Sequence, residues 1–289
     1  MSLFHFLSQL RLAIKYYLIL KDHKFIKFPL LNRFSGKSAQ VIVNGPSLKK
    51  TLELFDSGQL EITSDSFFVN MGALDSHFSI IKPKHYCISD PMFYQDFALK
   101  KDVIRKTYDV LNTVDWDINL YLCFFTEKEC KQLIAYSGIT NPHVRFVFVN
   151  RKHCSGLDPT WRHKLYKKGL FMPEDGTIAN TAIYLALIEG YKTIELYGAD
   201  HNMFLEFQVN DNNELCSLDS HYYDTEKPRY KPFYNCNVTD GRVWRVHEFM
   251  YILYVMFYSH DLLRQFADYM GAKIINCTPG SMIDSYERK

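Results

Sequence analysis

Polar and small residues able to bind a ligand stand directly after several apolar, β-rich stretches of the chain. The turn NGPS at 44–47 follows VIV, Asn70 follows SFFV, and Asp90 follows HYCIS. Gly198 and Asp200 follow TIELY in the same way. Ligands of open α/β sheets bind beyond the carboxyl ends of the strands, so these turns together predict one binding site.

The turn at 44–47 has residue types that can bring the backbone close to a phosphate. Gly45 permits a positive φ or the close approach of a ligand, and Pro46 pre-sets the first position of a helix. Ser47 can cap that helix or donate to a phosphate oxygen, and Asn44 adds a side-chain amide. An ordinary capped βα turn has the same composition, so both readings stay open. Neither GxxxxGK(S/T) nor GxGxxG occurs, so short turns, hydroxyls and amides would hold a phosphate.

Strands alternate with helices along most of the chain, which favours a mostly parallel sheet with helices on both faces. The predicted strands lie at 38–43, 64–71, 85–94, 118–124, 144–150, 193–198 and 272–278, and the clearest helices at 177–189 and 243–270. The expected fold class is α/β and Rossmann-like, with one domain over 38–289 preceded by a basic amphipathic helix and linker over 1–37. The polar stretch at about 202–240 has no clear period, which indicates an irregular lid.

Charge is concentrated at the beginning of the chain. Residues 1–37 contain seven Lys or Arg and one Asp, a net charge of +6, so residues 38–289 carry −4 of the total of +2. So small a total argues against a nucleic-acid partner.

Residues 3–20 have the pattern of a helix with one broad apolar face, formed by Leu3, Phe6, Leu7, Leu10, Ile14, Tyr17 and Leu18. A basic amphipathic helix can lie in the interface of an anionic membrane, here through residues 3–27. It can equally dock on the domain with its cations solvated. Arg11 and Lys15 interrupt the apolar run, unlike in a signal peptide, and no window reaches the roughly 20 apolar residues that span a bilayer.

The seven cysteines include no CxxC pair and their number is odd, so a reducing cytoplasm is expected. Attachment to the inner face of the cytoplasmic membrane would follow from the basic helix. No HExxH motif or Cys/His cluster occurs. Asp115 and Asp117 have the DxD spacing of metal-dependent sugar transferases but precede a predicted strand, so no metal cofactor is expected. Whether the chain forms a homo-oligomer stays open.

The chain also carries a family resemblance. The NGPSL turn, the strand ending in Asn70 and the segment LIEGYKTIELYGAD at 187–200 resemble the bacterial sialyltransferases of glycosyltransferase family 42. They are similar as well to Rossmann-like proteins with domain of unknown function 115. The likeness covers roughly residues 38–285 as an order of elements. It is close at residue level only in these motifs and in SHYY at 220–223. It implies a nucleotide-binding domain of the GT-A type and metal-independent, inverting transfer from a CMP-activated sialic acid or Kdo.

The resemblance implies positions for the donor nucleotide. The residues expected at the nucleotide are Asn44, Gly45, Pro46, Ser47, Asn70, Asp90, Asn180, Thr181 and Gly198. The family has Asn where this chain has Asp90, which implies a sugar or ribose hydroxyl as the partner of that carboxylate. The family has Ser-Gly where Asn180 and Thr181 are the nearest polar residues, and this leaves the exact donor open.

An inverting transfer needs a base for the acceptor hydroxyl, and the pKa of histidine suits that task. The family places a His after its lid and Tyr residues at the leaving phosphate, and SHYY supplies His221 and Tyr222 there. His247 opens the last predicted helix and ranks beside His221, whereas His201 comes third. Asp200 is expected to orient a His or to bind an acceptor hydroxyl. Each His has a structural alternative, as part of a loop, a helix face or a turn.

Three functions remain as hypotheses. The first is a glycosyltransferase of bacterial surface polysaccharide or lipopolysaccharide synthesis, with a nucleotide sugar and a glycan acceptor as partners. The second is a Mg²⁺-dependent pyrophosphokinase-like enzyme on the same scaffold, with Asp90 and Asp200 near the phosphates. The third is a non-catalytic nucleotide- or glycan-binding protein.

Overall fold

The computed structural model describes residues 3–22, 27–93, 101–124, 126–218, 229–235 and 241–289. Its strands are β1 (Ser38–Ile42), β2 (Ser66–Val69), β3 (His85–Ile88), β4 (Ile118–Phe124), β5 (Val144–Asn150), β6 (Thr193–Tyr197), β7 (Phe207–Val209), β8 (Leu215–Ser217), β9 (Lys231–Pro232), β10 (Lys273–Asn276) and β11 (Glu287–Arg288). Eight of them form one parallel sheet in the order β11-β10-β6-β1-β2-β3-β4-β5. The predicted α/β, Rossmann-like fold class is therefore confirmed, and β4 and β5 have the predicted bounds.

Helices cover both faces of this sheet. They are α1 (Leu3–Asp22), α2 (Leu48–Asp56), α3 (His77–Ile81), α4 (Lys101–Thr113), α5 (Glu127–Ser137), α6 (Pro159–Lys167), α7 (Ile178–Glu189) and α8 (Val246–Met270). Side chains alternate across β1, so Val41 packs in the core with α7 and α8 while Ile42 packs with α2 and α4. All twelve residues of α7 are buried, because its own Ile, Ala and Leu residues point outward on every side of the helix.

The order of the strands creates a crevice beside β1. The chain steps from β1 through β5 in one direction and then returns to place β6 on the other side of β1. The turns that follow β1 and β6 therefore leave the sheet toward opposite faces, and a crevice opens at the carboxyl ends of these two strands.

The segment predicted as an irregular lid contains regular structure in its described part. A 3₁₀ turn at Met203–Glu206 leads into β7, which pairs antiparallel with β8, and β8 pairs antiparallel with β9. Phe207 of β7 and Phe233, which directly follows β9, pack against Phe249 of α8, with ring centroids 5.2 and 4.7 Å away. The strands have two or three residues each, too few for a period to show in the sequence.

The N-terminal helix docks on the domain, which is one of the two alternatives that the sequence left open. Tyr16 is 5% exposed and packs into the core, with Leu12, Ile19 and Leu20 beside it. The described side chains of the broad face predicted from the sequence point to solvent: Phe6, Leu7, Leu10, Ile14, Tyr17 and Leu18. Docking is decided by the few residues that fit the domain, and hydrophobicity alone does not distinguish two apolar faces of one helix.

Candidate functional site

A cavity of about 410 Å³ lies at the carboxyl ends of β1, β2, β3 and β6, beneath the 3₁₀ turn at 203–206 and strands β7 to β9. Seven of the predicted site residues line it: Asn44, Gly45, Pro46, Asn70, Asp90, Gly198 and Asp200. Residues that the sequence placed at the ends of different strands therefore do meet at one place.

Two glycines let the turns after β1 and β6 interlock. Gly45 N donates to Gly198 O at 2.9 Å, and a Cβ on Gly45 would lie 2.1 Å from Asp200 Oδ2 and 2.4 Å from Gly198 O. Gly198 has φ +69, and a Cβ there would lie 2.0 Å from Val43 O. A side chain at either position would force the two turns apart, so both glycines are required by close approach.

The carboxylate of Asp200 lies at the N-terminus of α2. Its Oδ2 accepts from Ser47 Oγ at 2.9 Å and from Ser47 N at 3.3 Å. Gly45 N is already bonded to Gly198 O, and Pro46 has no N–H to offer. A carboxylate at a helix N-terminus is electrostatically favourable. The carboxylate of Asp200 therefore occupies the position at the N-terminus of α2 where the sequence predicted a phosphate. In this structure Ser47 positions Asp200 and does not itself line the cavity.

The turn that carries Asp200 is braced from the C-terminal side. Thr278 Oγ1 accepts from Ala199 N at 3.1 Å, and Ser281 Oγ donates to Ala199 O at 2.7 Å. Met282 N donates to Asp200 O at 2.9 Å. These bonds hold the carboxylate of Asp200 at the cavity with little freedom.

Two asparagines present unsatisfied acceptors at the cavity. Asn44 Nδ2 donates to Val69 O at 3.0 Å, which fixes the orientation of the amide, and its Oδ1 is buried without a partner. Asn70 Oδ1 is also buried without a partner. Asn70 has φ +47, a conformation that Asn tolerates better than most residues and that is found at binding sites. Buried acceptors are normally satisfied, so both oxygens indicate a ligand that brings hydrogen-bond donors.

The cavity has an acidic lining. Asp90, Asp200 and Glu206 line it, and the described lining residues include no Lys or Arg. Asp90 Oδ1 accepts from Met92 N at 3.0 Å, so its carboxylate is held at the end of β3. Carboxylates favour hydroxyl and amino groups, and they oppose a bare phosphate unless a cation or a helix N-terminus lies near it.

Among the histidines in the part of the chain that the structure describes, His201 lines the cavity. It is 7% exposed, has φ +53 and leaves Nε2 buried without a partner. Its ring centroid lies 5.2 Å from that of His260, whose Nδ1 lies 2.8 Å from the Tyr286 hydroxyl oxygen. Burial lowers the pKa of His201 to about 4. Burial, and then the nearby His201, lower the pKa of His260 well below its ordinary value. His201 is therefore neutral at neutral pH, when its ring can accept a proton.

Asn180 and Thr181 lie in the first turn of α7 but not on the cavity lining. Asn180 Oδ1 accepts from Gly176 N at 3.3 Å, and Thr181 Oγ1 donates to Asp175 Oδ2 at 2.9 Å. Both side chains hold the loop that precedes the helix. Thr177 and Ile178 line the cavity in their place, and Thr177 makes no side-chain capping hydrogen bond. The N-terminus of α7 therefore opens onto the cavity, whereas that of α2 is filled by Asp200.

The two histidines ranked first as base have different outcomes. His247 is exposed in the first turn of α8 and does not line the cavity. Its neighbour Glu248 accepts from Arg242 at 2.7 and 2.9 Å, which holds the pKa of that carboxyl at about 2. His221 and Tyr222 lie outside the described residues, so their predicted roles stay predictions.

Sequence reasoning gave no site role to several residues that line the cavity. They are Thr177, Ile178, Met203, Glu206, Phe207, Ser217 and Phe233. Most belong to the segment without periodicity, where the sequence holds no signal for orientation. Thr177 had a signal, because the residue before a helix is the one whose side chain reaches a ligand at its N-terminus.

Comparison with protein-family models, with curated proteins and with solved structures gave no match for this chain. Among the described residues, no group of three or more His, Cys, Asp or Glu side chains is arranged to hold a metal ion. No helix within the described ranges is long and apolar enough to cross a membrane. The geometry of the cavity therefore has to carry the functional argument.

Proposed function

We propose that the protein is a glycosyltransferase that takes a sugar from a nucleotide donor, a CMP-activated sialic acid or Kdo. The observation that carries this proposal is the pair of unpaired, buried acceptors, Asn44 Oδ1 and Asn70 Oδ1, in a cavity at the strand-order crevice. A nucleotide sugar is rich in the donors that such acceptors need, through a base amino group and through ribose and sugar hydroxyls. Bacterial surface polysaccharide or lipopolysaccharide synthesis is the setting in which such donors are used.

The cavity offers each part of the donor a partner. Asn44 and Asn70 accept from the nucleoside, and Asp90 and Asp200 accept from hydroxyls. The phosphate belongs at the N-terminus of α7, where the side chain of Thr177 makes no capping hydrogen bond and the helix dipole favours negative charge. This assignment moves the phosphate away from the NGPS turn, whose donors are engaged with Asp200 and Gly198.

His201 is the base in this proposal. Its neutral imidazole takes the proton of the acceptor hydroxyl while that oxygen attacks the anomeric carbon. The bond from that carbon to the phosphate oxygen breaks, and its electron pair leaves with cytidine monophosphate. Phosphate binding nearby raises the pKa of His201 from its value in the empty site, which strengthens it as a base.

Calorimetric titration of the full chain tests the binding half of this proposal. CMP, UDP, GDP and ATP are titrated with and without Mg²⁺, against wild type and Asn70→Gly. Glycine keeps the positive φ and removes only the amide, and Asn213→Gly is the matched control because exposed Asn213 has φ +58. We expect Mg²⁺-independent binding of CMP that Asn70→Gly weakens by about tenfold and Asn213→Gly leaves unchanged. If wild type, Asn70→Gly and Asn213→Gly bound CMP equally well, the proposed function would lose its main support.

A Mg²⁺-dependent pyrophosphokinase-like enzyme is the second candidate. The acidic lining favours it, because Asp90 and Asp200 could share a divalent cation with the phosphates of ATP. Binding of ATP that requires Mg²⁺, with no response to CMP, would select this function. Binding of CMP without release of sugar from any CMP-activated donor would select the third hypothesis, a non-catalytic binding protein.

A further inference from the structure

Helix α1 is fixed to the domain through one arc of its surface. Gln9 Nε2 donates to Gly156 O at 3.0 Å, and Gln9 Oε1 accepts from Asp158 N at 2.8 Å. Two turns later, Tyr16 OH donates to Ser155 O at 2.9 Å. Polar contacts at two places along the arc fix the rotation of the helix about its own axis.

The opposite arc of α1 is apolar and exposed. Six large side chains on it are between 45% and 65% exposed: Phe6, Leu7, Leu10, Ile14, Tyr17 and Leu18. At 100° per residue, the centre of this exposed arc lies roughly 150° from the centre of the docked arc. Single exposed hydrophobic residues are common, but six on one side of one helix form a contiguous patch that marks an interaction surface.

Cations accompany the exposed arc. Arg11 and Lys15 are exposed along its edge, and Lys21 is exposed in the last turn. The first turn of α1 contains no acid, and the helix has Asp22 as its single acidic residue. Residues 1–37 carry a net charge of +6, against −4 for the rest of the chain. The partner of this arc must therefore tolerate insertion of apolar side chains and carry negative charge.

A second copy of the chain does not meet the second condition. A two-fold interface through α1 would place one +6 segment against another, which is repulsive. A bilayer with anionic headgroups meets both conditions, because acyl chains receive the apolar arc and the headgroups neutralise the cations. The helix lies on the membrane and does not cross it, since α1 is too polar to span a bilayer.

We infer that the exposed arc of α1 binds the interface of an anionic lipid bilayer, with Leu10 and Ile14 among the acyl chains and Arg11 and Lys15 among the headgroups. This inference is independent of the proposed function, because no residue of α1 lines the cavity. It would hold the enzyme beside lipid-linked acceptors if the proposed function is correct, and it would hold any other activity at the same surface.

Flotation of the full chain with lipid vesicles tests the inference. Vesicles of phosphatidylcholine alone are compared with vesicles that also contain phosphatidylglycerol. Leu10→Gln with Ile14→Gln removes apolar contact, and Ile80→Gln with Leu54→Gln is the matched control, since both of those residues are exposed on other helices. Arg11→Gln with Lys15→Gln removes charge, and Lys49→Gln with Lys50→Gln is its control on α2. All of these side chains are at least partly in solvent, so the variants should fold.

We expect wild type to float with the anionic vesicles and not with the neutral ones. The apolar variant should partition at least about tenfold more weakly and the charge variant about tenfold more weakly at low salt, with both controls like wild type. Flotation that is the same for wild type and the two α1 variants would overturn the inference. So would a wild-type dimer that Leu10→Gln with Ile14→Gln converts to a monomer, without any vesicle binding, because the arc would then be a self-association face.

Discussion

The carboxylate of Asp200 lies 2.9 Å from the hydroxyl of Ser47, although 153 positions separate the two residues in the chain. This contact joins the turn after β1 to the turn after β6 across the crevice between the strands. It also closes the N-terminus of α2 with a fixed negative charge. The donors of Gly45 and Ser47 are therefore engaged between the two turns, and the open helix N-terminus is that of α7.

The replacement Ser47→Ala separates the structural role of this hydroxyl from a phosphate-binding role. We expect it to lower the free energy of unfolding by about 1 to 2 kcal/mol, because Asp200 loses one charge-assisted hydrogen bond. We expect the ratio of CMP affinity to cytidine affinity to stay as in wild type. Urea denaturation and calorimetric titration measure the two effects. A fall in that ratio of tenfold or more would return the phosphate to the NGPS turn.

Replacing Gly198, with Gly58 as the matched control, tests whether the turns after β1 and β6 must lie in close contact. Both have a positive φ, +69 and +72, but a Cβ on Gly198 would lie 2.0 Å from Val43 O, whereas nothing lies within 4 Å of one on Gly58. We expect Gly58→Ala to cost about 1 kcal/mol through backbone strain alone. Gly198→Ala should cost at least about 2 kcal/mol more and abolish ligand binding, as measured by urea denaturation and titration. Equal losses would show that the two turns can separate without cost.

The sequence predicted the sheet and the edge on which the cavity lies, because both follow from local patterns. Apolar runs that end in Asn70 and Asp90 locate strand ends, and parallel strands bring their carboxyl ends together. The partners of the side chains could not be predicted in this way. Ser47 pairs with Asp200 and Thr181 with Asp175, and both choices depend on packing that one sequence does not display.

The structure describes two features that the sequence left open. The sequence did not show which side of the helix at 3–20 would dock, and the structure shows that it docks by Tyr16 and Leu12, on the side away from the broad apolar face. The sequence ranked His201 third as a candidate base, after His221 and His247, and it gave no sign that His201 is buried. The structure places His201 on the cavity lining and His247 in solvent.

A buried polar cluster at the opposite end of the strands from the cavity gives a prediction about stability. Tyr121 OH donates to Glu189 Oε1, and His85 Nδ1 lies 3.5 Å from Glu189 Oε2, with every side chain fully buried. Burial raises the pKa of Glu189 well above its ordinary value and lowers that of His85 to about 3, so both groups are neutral at neutral pH.

Glu189→Gln keeps the shape and the neutral state of the side chain, and we expect it to change the free energy of unfolding by less than about 1 kcal/mol. Glu189→Ala should cost about 3 kcal/mol in the same urea experiment, because it leaves a cavity and removes the acceptor of the Tyr121 hydroxyl. If Gln proved as costly as Ala, the carboxylate would have to be charged.

The burial of His201 predicts how stability depends on pH. Its pKa is lowered to about 4 in the folded protein, against roughly 6.5 in the unfolded chain. The contribution of neutral His201 to the free energy of unfolding is therefore complete above the unfolded pKa. It is lost as the pH falls toward the folded pKa, because the unfolded chain binds the proton first.

Asn tolerates the positive φ of this position and does not titrate, so His201→Asn isolates the pH dependence that comes from His201. Between about pH 7.5 and about pH 4.5, wild type should lose about 2 kcal/mol more than this variant in urea denaturation. His247→Asn provides the control, because it replaces an exposed histidine that does not line the cavity. A variant that loses stability as steeply as wild type would mean that His201 is hydrated in the folded protein and that its burial does not shift its pKa.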